Sequence, residues 1–311
     1  MSDNKKIMPY ITGFLYSFIF GISFAFTSEV LTVLHPLQLP AVRFLFAALF
    51  ITVLYFFGAF KLSYKGKDLK PLILLAMFEP LLYFIFETYG VKLTTSSLSG
   101  TMIATIPVVV CILAVIFLRE RPSFLQWVFI VMSVIGSVIV VMGSGSSGSN
   151  TSEMIGILCL LGAVISGAGY NIMNKIVCEK FTAIEVTFFM MWFAAITFGI
   201  ISIFYSKGLG GYIAAFTNVK VLLILLYLGT VSSVLAFFCY NFTLHNLPIA
   251  PAAAFANLIT VISVIAGVFV RKEPFTLIQM LGAAIIVAGV FGVNLLGNDE
   301  NDGLSEFEIE S

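Results

Sequence analysis

The sequence predicts an all-α membrane protein of ten transmembrane helices, arranged as two inverted five-helix repeats. Three observations carry that prediction. First, 60% of the 311 residues are hydrophobic and only 10% are charged, with a mean hydropathy of +1.08. A soluble domain carries about 25% charged residues, so this chain lacks the polar surface to cover a globule in water. Second, the apolar residues fall into ten runs, each near the length of about 20 residues that crosses hydrocarbon. Third, the two halves of the chain match each other at a fixed offset.

The runs are 8–32, 37–58, 71–91, 95–118, 123–143, 154–177, 183–206, 219–241, 248–270 and 275–296. The first follows Lys5 and Lys6. It is longer than the core of a signal peptide, about 7–15 residues, and lacks a small-residue cleavage site, so it reads as a transmembrane helix. Residues 1–143 form the first predicted repeat and 153–297 the second. Between them 144–152 belong to a flexible Gly/Ser linker. The tail 298–311 holds six acids and no base and is expected to be disordered. Lysine and arginine in the loops set orientation. With the N-terminus inside, ten basic residues lie inside (Lys5, Lys6, Lys61, Lys65, Lys67, Lys70, Arg119, Arg121, Lys175 and Lys180). Five lie outside: Lys92, Lys207, Lys220, Arg271 and Lys272. Both termini are therefore expected in the cytoplasm.

Residues 118–127 read LRERPSFLQW and 271–280 read RKEPFTLIQM. Glu120 matches Glu273, Gln126 matches Gln279 and Gly136 matches Gly289, each at an offset of 153. Phe20-Gly21 matches Ser166-Gly167 near 146. An odd number of helices per repeat makes the second enter the bilayer from the opposite side, the inverted arrangement of many secondary transporters. The plainer alternative is that apolar helices with charged ends resemble one another.

These paired segments, with Gly21, Arg43 and Pro107, resemble the drug/metabolite transporter superfamily, specifically its EamA family of ten-helix permeases, over residues 8–296. The resemblance implies a central cavity lined by the first, third, fourth, sixth, eighth and ninth helices. It also implies export, or in some members import, of small metabolites such as amino acids. The chain departs from the family at Phe20-Gly21, where a Trp-Gly pair is frequent, and at Glu29, near where a lysine is frequent.

The third run contains FEPLLYFIFETYG, residues 78–90, with two glutamates among apolar and aromatic neighbours. A carboxylate at the bilayer centre costs about 2.5–3.5 kcal/mol on insertion scales. Glu87 lies about 12 Å further out than Glu79, at 1.5 Å per residue. Arg43 in the second run falls at the depth of Glu87, so the two are expected to form an ion pair acting as a helix clamp or gate, with a direct substrate role as the alternative. No Lys or Arg lies near the middle of any other predicted helix. Glu79 is thus expected to be neutral at rest, or to pair with a group that comes and goes, such as a cationic substrate exchanged for a proton. Pro80 must kink or break the helix, which is tolerated where backbone lines a wet cavity. The competing reading is a protonated Glu79 bonded to a carbonyl freed by Pro80.

Tyr83 shares the face of Glu79, and aromatic rings beside a carboxylate suit an ammonium group. Phe20, Phe24 and Tyr170 are the other cage candidates, with packing as the alternative for each. Among mid-depth polar groups, Ser233 and Asn257 are candidate binding residues, the alternative being interhelical hydrogen bonds. At the 153 offset Glu79 aligns with Ser232, and Ala104 with Asn257. Small residues such as Gly162, Gly282 and Gly289 serve packing. Lys175 and Glu185 are expected to snorkel. Cys111, Cys159, Cys178 and Cys239 sit in apolar runs as small core residues, and His35 and His245 fall in loops.

The function that follows is secondary transport by alternating access. The expected cargo is a small metabolite, an amino acid or other amine, exported in exchange for protons, with sodium as the alternative ion. An importer of a primary or quaternary amine is the second reading, and a membrane receptor the third. An intramembrane hydrolase needs a nucleophile–base pair or a metal cluster, for which the sequence offers no mid-helix histidine, and there is no phosphate-binding loop. No cofactor, metal or nucleic acid is expected. The expected partners are the small molecule, the coupling ion and the lipid bilayer of the cell membrane, with the protein a monomer or homodimer.

Overall fold

Segments in lipid must satisfy their own backbone hydrogen bonds, and all regular structure among the described residues is helical. A computed structural model of the chain describes residues 3–94, 99, 102–103, 105–119, 122–142, 151–205, 210–271 and 276–307. In order, the helices are α1 Asp3–Val30, α2 Gln38–Phe56, α3 Lys70–Ala76 and α4 Tyr83–Leu93, the last two joined by a π-helical turn Met77–Leu82. Then come α5 Ile106–Phe117, α6 Phe124–Met142, α7 Thr151–Val177, α8 Ala183–Tyr205 and α9 Gly210–Thr217. Next are α10 Val219–Tyr227 and α11 Ala236–Asn246, joined by a second π-helical turn, Leu228–Leu235. The chain ends with α12 Ile249–Ala254, α13 Ala256–Arg271 and α14 Leu277–Phe307.

Among the described residues six helices are long and apolar enough to cross a membrane, and four shorter apolar helices fall in the other four predicted runs. Side chains such as Phe56, Phe57, Phe124 and Phe204 are exposed, as a lipid-facing surface requires. Two elements were not expected. The short helix α9 precedes the eighth run. Helix α14 continues to Phe307, where a disordered tail was expected. Extending a helix that is already formed needs no new nucleus. The linker residues 143–150 and Ala104, Glu120, Arg121, Lys207, Lys272 and Glu273 lie outside the described residues. Thr151 and Ser152 already belong to α7.

The glutamine found in both matching segments has a local cause. The Ser123 N–H donates to Gln126 Oε1 at 2.8 Å, and the Gln126 N–H points back at Ser123 Oγ at 3.3 Å. This is a capping box, in which side chains three residues apart satisfy the free N–H groups of a helix start. Thr276 and Gln279 have the same spacing. Thr182 and Glu185 build another box at the start of α8. Glu185 is 2% exposed and also accepts from the Ser63 N–H at 2.7 Å and Lys67 Nζ at 3.1 Å. It therefore ties the loop after α2 to α8 instead of snorkelling. Lys175 likewise turns inward, donating to the Leu244 and Leu247 carbonyls. An exposed pair, Lys220–Glu29, joins the start of α10 to the end of α1. Each ion pair links segments predicted on one face of the membrane.

Close packing falls at the paired glycines. A Cβ at Gly136 of α6 would come within 2.8 Å of the Gly282 carbonyl oxygen and 2.9 Å of the Ile286 nitrogen in α14. One at Gly289 of α14 would meet the Phe129 carbonyl oxygen and Ser133 Cβ of α6, both at 2.7 Å. Gly21 of α1 lies against Ile259 and Ile262 of α13, and Gly167 of α7 against Ile106 of α5.

Candidate functional site

The site is built where the third run breaks. The residue before a proline is pushed out of the α region, and Glu79 has φ −145° and ψ 121° between α3 and α4. The Glu79–Pro80 peptide is cis. Helix α7 holds the broken segment in place: Phe78 packs over Gly169, Tyr83 near Gly167 and Phe86 over Gly162.

Glu79 faces two adjoining chambers of about 380 and 420 Å³ of empty space, which share Phe20, Glu79, Tyr83 and Ile259. The first chamber adds Phe24, Arg43, Glu87 and Phe237. The second adds Tyr16, Ile106, Asn171 and Tyr240. The bordering residues come from the six runs that the resemblance implies, and from α2 through Arg43. An aromatic wall lines the space, with ring centroids 4.8 Å apart for Tyr16–Tyr240 and 5.2 Å for Phe20–Phe237.

Glu79 is 5% exposed. Among the described residues its carboxylate makes no hydrogen bond and no ion pair within 4.0 Å. Arg43 and Glu87 lie within Coulombic range of it, so a cation does reach this cavity, from a side chain rooted in α2. Arg43 does not close an ion pair on Glu87. Its Nε donates to Ser233 Oγ and its Nη2 to Ser232 Oγ, both at 2.8 Å. The guanidinium carbon lies 4.7 Å from the Phe84 ring centroid. Glu87 Oε2 is buried with no partner.

Of the sequence-predicted residues, Glu79, Tyr83, Phe20, Phe24, Arg43 and Glu87 border the cavity. The other three do not. Ser233 is occupied by Arg43 and by its own bond to the Leu228 carbonyl at 2.8 Å. Tyr170 is fully buried, bonded to Asn241 and Asn174 and stacked on Tyr240. Asn257 is fully buried and donates to Ser133, which makes it a link between α13 and α6. Sequence reasoning missed Tyr16, Asn171 and Tyr240. Tyr16 was visible as the residue four before Phe20. Asn171 was visible as the residue four after Gly167, whose carbonyl it binds at 2.8 Å; it also donates to Tyr240 Oη at 2.7 Å.

The EamA-like transporter family model matches residues 7–142 and 154–295. The chain belongs to the EamA-like transporter family. This transporter is 32% identical over 298 residues to "Uncharacterized transporter YcxC" of Bacillus subtilis (strain 168), covering 95% of each chain. It is 24% identical over 233 residues to "Probable terminal-alkyne amino-acid exporter" of Streptantibioticus cattleyicolor, covering 74% of each. A solved structure described as "Crystal structure of protein" superposes with a TM-score of 0.77 at 15% identity, covering 94% of this chain and 98% of that one. That likeness speaks to the fold. The transporter is a multi-pass membrane protein whose family handles small molecules.

Proposed function

We propose that this transporter exchanges a small amine-bearing metabolite, such as an amino acid, for protons by alternating access, in the direction of export. One observation carries the reading. Glu79 sits buried at a helix break, without a hydrogen-bond partner among the described residues, on the wall shared by both chambers. A carboxylate among aromatic rings holds an ammonium group by Coulomb attraction and cation–π contact, and takes a proton when the ammonium leaves. The relative in Streptantibioticus cattleyicolor, described as a probable amino-acid exporter, supports both the cargo and the direction.

Rocking of two inverted five-helix repeats, 1–143 and 153–297, is the motion we assign. Its support is reciprocal packing. Gly136 lies against residues 282 and 286, and Gly289 against 129 and 133. Every member of the first contact is 153 residues from its counterpart in the second, as a two-fold relation between repeats requires. The π-helical turns also correspond at that offset, Glu79 with Ser232. The excess of basic residues in the predicted inner loops supports cytoplasmic termini.

The test is flux in proteoliposomes. A labelled amine or amino acid should move saturably against its gradient when driven by a pH difference, and Glu79→Gln should abolish that drive while leaving the protein folded. Uphill transport by Glu79→Gln at the unsubstituted rate, or drive by a sodium gradient in place of the pH gradient, would overturn proton coupling through Glu79. Amine uptake driven inward under the same gradients would favour the importer.

A further inference from the structure

We propose that Ser232 and Ser233 are positioning residues that hold Arg43 away from the two carboxyl groups, so that Glu79 and Glu87 stay free to hold a proton or exchange it for a cation. The proposal rests on the reading of Glu79 as an amine site and adds what keeps that site open. The two serines sit in the second π-helical turn. Ser233 Oγ donates to the Leu228 carbonyl five residues back, which aims its lone pairs at Arg43 Nε. Ser232 Oγ accepts from Arg43 Nη2 and from Ser23 Oγ, each at 2.8 Å. The guanidinium is pinned from a third side by the Phe84 ring at 4.7 Å.

The consequence is a specific imbalance. Arg43 and Glu87 border the same chamber, yet among the described residues Glu87 Oε2 has no partner and Glu79 has no hydrogen bond. A buried arginine forks readily onto a carboxylate, and charge-assisted bonds of that kind are about twice as strong as neutral ones. Serine hydroxyls are the weaker acceptors. They win because the helix turn fixes two of them side by side. The titratable groups within Coulombic range of Glu79 are Arg43 of α2, Tyr83 and Glu87 of α4, Tyr170 of α7 and Tyr240 of α11. Only Arg43 among them can cancel its charge.

The experiment uses the full chain in detergent and a hydrophobic carbodiimide, which labels protonated carboxyl groups, read at Glu79 and Glu87 by peptide mass spectrometry. Labelling should fall by about tenfold in Ser232→Ala/Ser233→Ala, because the released guanidinium pairs with a carboxylate and strips its proton. Adding Arg43→Gln to that double variant should restore labelling, and Ser232→Thr/Ser233→Thr should keep it. Each single alanine variant reports the same comparison should the double variant fail to fold. Unchanged labelling in the alanine variants, or an equal fall with Arg43→Gln present, overturns the proposal, since the serines would then act only through packing. Phenethylammonium should protect Glu79 from the reagent in the unsubstituted protein. If it does not while the serine effect persists, the amine reading fails and the positioning role stands.

Discussion

Adding a single methyl group at Gly136 or Gly289 should loosen the contact between α6 and α14 by the same amount. The new Cβ at Gly136 would lie 2.8 Å from a carbonyl oxygen, and at Gly289 2.7 Å from another, where ordinary contact begins at 3.4 Å. Backbone atoms are among the nearest obstacles at both positions, so no rotamer change relieves them all, and the helices must part by roughly 0.6 Å. Overpacking of this kind costs about 1–3 kcal/mol, while alanine recovers about 0.5–1 kcal/mol of helix propensity. The net expectation is a loss of up to about 2.5 kcal/mol for Gly136→Ala and an equal loss for Gly289→Ala. One separation relieves both clashes, so the double variant should lose less than the sum. Gly199→Ala is the control. Nothing lies within 4 Å of its Cβ position, so it should be neutral or stabilising. The assay is equilibrium unfolding in mixed micelles. Unequal single losses, full additivity, or a destabilising Gly199→Ala would refute the reasoning.

Glu185→Ala should destabilise by about 2–4 kcal/mol, because two backbone N–H groups and Lys67 lose their acceptor. Glu185→Gln keeps one acceptor oxygen and should cost clearly less, so identical melting of the two variants would contradict the clasp. Asn257→Ala should lower stability by about 0.6–2 kcal/mol yet leave the KM for transport within about twofold, since the side chain bonds Ser133 outside the cavity; loss of transport in a folded variant would return it to the site. Burial pushes the Cys178 thiol up to about 12, against the weaker opposing pull of Lys175. The thiol therefore stays protonated at pH 8, and maleimide should leave it unmodified there until the protein is unfolded.

Position along each helix was legible in the sequence, and rotation about each helix was not. The ten runs each hold an apolar helix among the described residues, though α9 lies outside them, and Pro80 marks the break at Glu79. Depth also brought Arg43 and Glu87 to one chamber. The errors are errors of angle. Tyr170 and Asn171 are adjacent, but about 100° of helix rotation separates them, and the neighbour that borders the cavity is Asn171. Asn257 lies at a suitable depth and points at α6. Arg43 escaped for a different reason: its partners come from a π-helical turn, whose extra residue shifts the register by which Ser232 and Ser233 would be placed. The paired glutamines were read as a repeat signature, and Ser123–Gln126 shows the local force behind one of them, a helix start that needs its N–H groups capped.

Comparison of two glutamates within this one chain bears on whether Glu79 is structural. Glu185 and Glu79 have similarly low exposure, 2% and 5%, though Glu185 lies at a helix start and Glu79 mid-run. Glu185 is surrounded by two backbone donors and a lysine, the full solvation that a buried carboxylate requires if it is to stabilise a fold. Glu79 has no donor among the described residues, and the one arginine within reach is bonded elsewhere. A group left in that condition costs several kcal/mol out of a total stability of about 5–15 kcal/mol. Packing does not recover that cost, because a leucine would fill the same volume without it. Under the exchange proposed above, a bound amine would supply the missing donor in one state of the transport cycle and a proton would supply it in the other.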